Sequence, residues 1–158
     1  DNKSLQAQVF ALQGDIYINQ NNFTLAKTAF EKAIAIEPDN YFIMNNYAYY
    51  LALKNDDLVK AAQYSETAAN AMPANSSITD TYAYILFKQH KYDLAKVWIE
   101  KALQNNTNKN GVYLEHYGDI LFMKGDKEAA LKQWQKAKEA GNTSEVLNKK
   151  INEKKYFK

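Results

Sequence analysis

The side chains best suited to acid–base or metal chemistry are two histidines, His90 and His116, and eighteen carboxylates. Metal sites built on histidine need a second histidine, a cysteine or a carboxylate at ligand spacing, and neither histidine has a His or Cys partner placed that way. The chain has no cysteine, so a thiolate nucleophile, a zinc-thiolate site and a disulfide are all excluded. No glycine-rich phosphate loop or nucleophile elbow is present, and no pair of carboxylates is placed for general acid–base work. His90 falls in a predicted turn. Asp15 and Asp119 are alike because they occupy one position of an internal repeat. These residue types imply a protein without cofactor or metal and without catalytic activity. What remains is recognition chemistry, carried by twelve tyrosines, seven phenylalanines and the acids among them.

Those residues are positioned by a repeat. Ala26, Ala61, Ala95 and Ala130 follow one another at 35, 34 and 35 residues, and Ala33, Ala68, Ala102 and Ala137 keep the same steps. Gly14, Ala48, Ala83 and Gly118 form a third series of small residues, at 34, 35 and 35. Within each period, apolar residues at three and four spacing predict two helices, as in "VFALQGDIYINQ" and "FTLAKTAFEKAIAIE". Turn signals separate the helices inside each pair: Asn21-Asn22, Asn55-Asp56-Asp57, His90-Lys91 and Gly125-Asp126. Others separate the pairs: Pro38-Asp39-Asn40, Pro73-Ala74-Asn75, the run "QNNTNKNG" and Gly141-Asn142. The one slip in period is an extra residue in "KNDDLVK", where loop length is tolerated. No strand alternation is visible.

The sizes have a packing reason. Helices approach closely where side chains are small, and large ones must fill the space beside each close contact. Phe30, Ile99 and Trp134 are the expected fillers from second helices, and Tyr17, Leu51, Leu86 and Leu121 from first helices. Ser65 stands where a large residue is expected and predicts softer packing there. Ala95→Leu is expected to overpack its pair by about 1–3 kcal/mol, read as a fall in melting temperature.

The pattern resembles the tetratricopeptide repeat: an aromatic, Leu-Gly, Tyr, Ala, Phe, Ala and Pro over about 34 residues. Phe10, Gly14, Tyr17, Ala26, Phe30, Ala33 and Pro38 match in the first unit, with Gln13 in place of Leu. Met44, Tyr47, Ala48, Leu51, Ala61, Ala68 and Pro73 match in the second. Tyr82, Ala83, Leu86, Ala95, Ile99 and Ala102 carry the third, and Leu114, Tyr117, Gly118, Leu121, Ala130, Trp134 and Ala137 the fourth. The resemblance implies an all-α fold, a right-handed α-α superhelix of four helix pairs at about 7–40, 41–75, 76–110 and 111–142, with residues 143–158 as capping helix and tail. The chain also looks like bacterial tetratricopeptide arrays, which implies the cell envelope or the cytoplasm as its setting. Repeats that grip chaperone carboxylates use Lys, Arg and Asn in the groove. The matching positions here are Ala11, Asp15, Asn46, Ser77 and Thr81, so only Asn46 agrees and that clamp is absent.

Stacked helix pairs present their first helices on one inner wall. The helical period assigns to that wall Asp15, then Asn45 and Tyr49, then Asp80, Tyr84, Phe87 and Lys88, then Glu115, Asp119 and Phe122. Tyr49 and Tyr84 share a repeat position, as do Phe87 and Phe122. Tyrosine offers large contact area for little rotamer entropy, so these residues predict capture of a protein or peptide segment. The acids predict a negative wall that favours basic or apolar segments.

Charge is uneven along the chain. Residues 1–123 carry ten Lys against thirteen acids, a net −3, and residues 124–158 carry ten Lys against five, a net +5. Every cation is Lys; without Arg's bidentate fork, nucleic-acid binding is not expected. No run is long and apolar enough to span a bilayer, and no secretory leader is recognisable. Asn142 with Glu145 predicts the start of a final helix, with Val146, Leu147 and Ile151 covering the last pair and its lysines in water. Leu5, Val9 and Phe10 leave an apolar face at the other end, which predicts self-association or an upstream repeat. The chain starts at Asp1 and reads as a piece of something longer.

Overall fold

A computed structural model describes residues 2–106 and 110–157. Residues 107–109 of the expected "QNNTNKNG" turn lie outside the described residues, as do Asp1 and Lys158. All regular structure among the described residues is α-helical, as the repeat predicts. Two compact units are formed, residues 1–72 and 73–158. The first holds α1 (Asn2–Asn19), α2 (Phe23–Ile36), α3 (Tyr41–Leu53) and α4 (Leu58–Ala71). The second holds α5 (Ser76–Lys88), α6 (Tyr92–Gln104), α7 (Gly111–Met123), α8 (Lys127–Glu139) and α9 (Glu145–Glu153).

The turn inside each pair follows one recipe. Asn21, Asn55, His90 and Gly125 all have positive φ, between 54° and 92°. The next N–H then reaches back five residues: Asn22 to Tyr17, Asp56 to Leu51, Lys91 to Leu86 and Asp126 to Leu121, at 2.8–3.0 Å. That left-handed residue lets the helix end satisfy its last carbonyls, which is why Asn and Gly recur there. Asn22, Asp57 and Asp126 then cap the following helix by accepting from an N–H three residues on. Asp57, at φ 33°, absorbs the extra residue of "KNDDLVK".

Small and large residues meet as the repeat requires. A Cβ built on Gly14 would stand 2.7 Å from the ring of Phe30, and one on Gly118 only 2.4 Å from that of Trp134. The glycines occur where the second helix carries an aromatic. At the same repeat positions Ala83 goes with the smaller Ile99, while Ala48 goes with Ser65, two small side chains together. Ser65 is fully buried and its hydroxyl donates to the Ala62 carbonyl at 3.2 Å. Around it the first unit is filled by rings: Phe30 stacks on Tyr47 at 5.3 Å, and Tyr47 meets Tyr64 at 5.7 Å.

Successive pairs within each unit are tied in one way. Tyr47 on α3 donates its hydroxyl to Glu31 on α2 at 3.0 Å, and Tyr117 on α7 donates to Glu100 on α6 at 2.6 Å. A lysine completes each, Lys60 with Glu31 and Lys96 with Glu100. Burial, together with the neighbouring carboxylate, holds both tyrosine hydroxyls well above their usual pKa. Burial of a hydroxyl is tolerated because it has an acceptor.

The last helix departs from expectation in three places. Ser144, not Asn142, is the N-cap of α9, accepting from the Leu147 N–H at 3.1 Å. Asn142 instead donates its amide to Glu115 at 2.7 Å, while its Oδ1 accepts from the Ser144 N–H. Leu147 is fully buried in the last pair, as expected, but Val146 is 38% exposed. Lys150 does not face water: only 3% of it is exposed. Carboxylates on α7 draw it in.

Candidate functional site

In the first unit the expected wall residues lie on α1 and α3. Asp15 is half-buried beside the Tyr50 hydroxyl; burial raises its pKa, and that hydrogen bond partly offsets the rise. One of its oxygens is buried and lacks a partner among the described residues, as is Oδ1 of the buried Asn45. Such an orphan acceptor carries a desolvation penalty of about 1–3 kcal/mol. On the same face of α3, Phe42, Tyr49 and Leu53 are exposed at 57%, 37% and 47%. Spacings of seven and four put these three in one stripe. Large apolar side chains aligned and left in water are the usual mark of an interaction surface.

In the second unit Asp80, Tyr84, Phe87, Glu115 and Asp119 gather about side chains that sequence reasoning did not select. His116 Nδ1 donates to Asp80 Oδ1 at 2.8 Å, and the imidazole stacks on Tyr84 at 5.0 Å between centroids. Lys150 donates from one ammonium to Glu115 and to Asp119, both at 2.7 Å. Trp134 Nε1 donates to the other oxygen of Asp119 at 3.0 Å. Tyr156, beyond α9, sets its ring edge-on against Phe87 at 5.7 Å. Lys88 lies over the ring of Tyr84. Phe122 belongs elsewhere: it stacks on Trp134, under the ammonium of Lys127.

The electrostatics follow from burial and pairing. Burial pushes the pKa of Asp119 up to about 6, against the opposing pull of Lys150 and His116. For His116 burial works against the charged form, but Asp80, helped by Asp119 and Glu115, outweighs it and the pKa is raised. Two cations thus stand among three acids, so the charge of this wall is largely taken up within the chain. Asp80 and Asp119, each 7% exposed, serve the fold at least as much as any partner. The Asp–His pair resembles the orienting half of a catalytic triad, yet its outer face is stacked on Tyr84. Among the described residues no group of three or more His, Cys, Asp and Glu side chains could hold a metal ion.

A signal for Lys150 was present. Counting on by 35 from Asn45 and Asp80 reaches Glu115 and then Lys150. The final helix therefore continues the first-helix register and presents a cation where the array had presented acids. The same step from Leu121 reaches Tyr156. His116 had no comparable signal, because its partner Asp80 lies 36 residues away on another helix.

An all-α chain of helix pairs, sealed by small residues and bearing aromatic first-helix walls, defines a helical-repeat protein. Residues 7–40 match one tetratricopeptide repeat profile and residues 29–63 a second, so the chain carries tetratricopeptide repeats. PilF of Pseudomonas aeruginosa shares the fold, at 19% identity over 94% of this chain and 68% of that one, with a TM-score of 0.78. PilW, a widely conserved type IV pilus biogenesis factor, is 18% identical over 98% of this chain and 71% of its own, with a TM-score of 0.82. MamA from Desulfovibrio magneticus RS-1 is 18% identical over 88% and 77%, with a TM-score of 0.74. No curated protein matches the sequence. No helix among the described residues is long and apolar enough to cross a membrane.

Proposed function

We propose that this chain is a non-catalytic protein-binding module that takes an apolar or basic segment on its first-helix walls. The supporting observation is the stripe of Phe42, Tyr49 and Leu53 exposed on one face of α3. A bound segment would cover these rings and remove their apolar surface from water. Asp15, Asn45 and Tyr49 would act in the first unit, and Asp80, Tyr84, Phe87, Lys88, Glu115, Asp119 and Phe122 are proposed for the second. Apolar contact supplies the affinity, because the acids of the second unit are already paired. Nucleic acid is not the proposed partner. An assembly role in a bacterial envelope is the class of work we favour, on the resemblance to bacterial arrays and the shared fold with a pilus biogenesis factor. Peptides selected by display on the chain test the reading. Tyr49→Ala with Tyr84→Ala should weaken them by about 2 kcal/mol or more, and unaltered affinity refutes the wall.

A second reading has its own observation. On α1, Leu5, Val9, Leu12 and Ile16 are 61%, 46%, 61% and 45% exposed, at spacings of four, three and four. That is a two-heptad apolar seam flanked by the neutral Gln6, Gln8 and Gln13, suited to self-association. Light scattering over a concentration series decides it: a constant monomer mass removes self-assembly through α1.

A further inference from the structure

The second unit already holds a segment on its wall, and that segment is its own C-terminus. α9 ends at Lys154, whose left-handed backbone (φ 52°) turns the chain back. The turn lays Tyr156 edge-on against Phe87 and under the ammonium of Lys150, 5.3 Å from the ring centre. Phe157 follows, with Lys149 over its ring at 4.3 Å. Between this tail and the wall remains a cavity of about 280 Å³, bordered by Tyr84, His116, Asp119, Lys150, Tyr156 and Phe157. Burial raises the pKa of the Tyr156 hydroxyl to about 12, with Asp119 adding to the rise, so the phenol stays neutral over the acids at neutral pH.

We propose that the tail Lys154–Phe157 is a built-in, displaceable ligand of the α5–α7 wall. The partner it gives way to is a protein segment bearing an exposed aromatic residue. This rests on the proposed peptide-binding reading and specifies its second-unit site. Three observations carry it. The occupant's contact is the Tyr156 ring on Phe87, which shows that the wall accepts an aromatic side chain. The wall's chemistry is complementary to a ring: Phe87 receives the edge of Tyr156, while Glu115 and Asp119 are already paired with Lys150 of α9. The tail is also separable from the fold. The buried anchors of α9, Leu147 and Lys150, precede the turn, whereas Lys154 and Lys155 are exposed and Tyr156 and Phe157 only half-buried. Rotation at Lys154 removes the two rings and leaves α9 docked. The aromatic side chain of a partner would then take the place of Tyr156 on Phe87. A tethered ligand acts at an effective concentration of about millimolar, so the closed tail disfavours weak competitors and yields to strong ones.

The experiment is an NMR titration of the full chain with the synthetic peptide NEKKYFK. In a Tyr156→Ala/Phe157→Ala variant the peptide should shift the amide resonances of Phe87, Glu115 and His116. In the parent chain it should do so at least about tenfold more weakly, because the tail competes. Tyr156→Phe keeps the ring and should behave as the parent. Equal titration of parent and double variant overturns the proposal, as does the absence of shifts in a double variant whose spectrum is otherwise that of the folded parent. Display-selected peptides keep the two readings apart. If they bind parent and double variant equally on these helices, the tail proposal falls and the binding module stands. If none binds either chain, both fall.

Discussion

The two units carry the same repeat position to different ends. Asp15 on α1 and Asp119 on α7 are equivalent in the repeat, and burial raises the pKa of both. Asp15 has only the Tyr50 hydroxyl to set against burial, and one of its oxygens is unpaired among the described residues. Asp119 is held by Lys150 and by the Trp134 indole. Asn45 and Asp80 form a second such pair: one buried with an orphan oxygen, the other bound to His116. Phe42, Tyr49 and Leu53 on α3 stand in water, whereas Phe87 on α5 is covered by Tyr156. The first unit leaves an apolar stripe exposed over two buried oxygens that have no partner among the described residues. The second is closed by the chain itself. A repeat position sets where a side chain points, and its neighbours decide whether it is spare.

The sharpest break in that comparison is Lys150→Met. Removing one partner from a buried ion pair leaves uncompensated charge, so a loss of about 3 kcal/mol is expected, read as earlier denaturant unfolding of α9 by hydrogen exchange. A loss below about 1 kcal/mol would mean that Glu115 and Asp119 do not depend on this cation. The seam glycines come next. Gly118→Ala should cost about 2–3 kcal/mol, because the new Cβ meets the Trp134 ring at 2.4 Å and the Ala130 carbonyl at 3.1 Å. Gly14→Ala should cost about 1–2 kcal/mol, because only the Phe30 ring is in the way. Chemical denaturation midpoints compare the two, and a reversed order would mean the first seam is the tighter.

Titration separates the Asp119–His116 cluster from the Glu31 tie in direction. Asp119 and His116 both have folded-state pKa values raised above their unfolded ones. Each therefore contributes stability that is full below its unfolded pKa and is lost as pH rises through its folded one. For Asp119 that window runs from about 4 to about 6, and His116 adds a further loss above its ordinary value of 6.5. Tyr84, Tyr156, Asp80, Glu115, Lys88 and Lys150 also face this cluster. Glu31 in the first unit is depressed, chiefly by its hydrogen bond from Lys60 and against burial, so its contribution is lost as pH falls below the carboxylate range. Residue-resolved exchange from pH 4 to 7 should show α7 and α9 loosening with rising pH while the α2–α3 contact does not. The smallest expected effect is Lys60→Met. Its pair with Glu31 is exposed at 35% and 45%, so the stability change should stay within about 0.5 kcal/mol.

Much of this was legible beforehand. Helix pairs, turn sites and the small-residue seam follow from the period, and Gly14 and Gly118 sit opposite aromatics as packing density demands. The wall residues of α3 were readable because one helical face is a local property. The α9 start was misplaced by two residues because Asn142 and Ser144 are both good caps. Glu115 on another helix decided between them by claiming the Asn142 amide.

The sequence alone determined that paired helices recur every 34 or 35 residues, which faces are apolar, and that no thiol chemistry is available to these residues. These depend on spacing and residue type, which the chain carries locally. Only the tertiary structure decided that His116 meets Asp80, that Lys150 is buried between two acids, and that Tyr156 covers Phe87. Each of those joins residues about 30 to 70 positions apart. Their pairing depends on how helices stack, and no local pattern encodes which partner a side chain will find there.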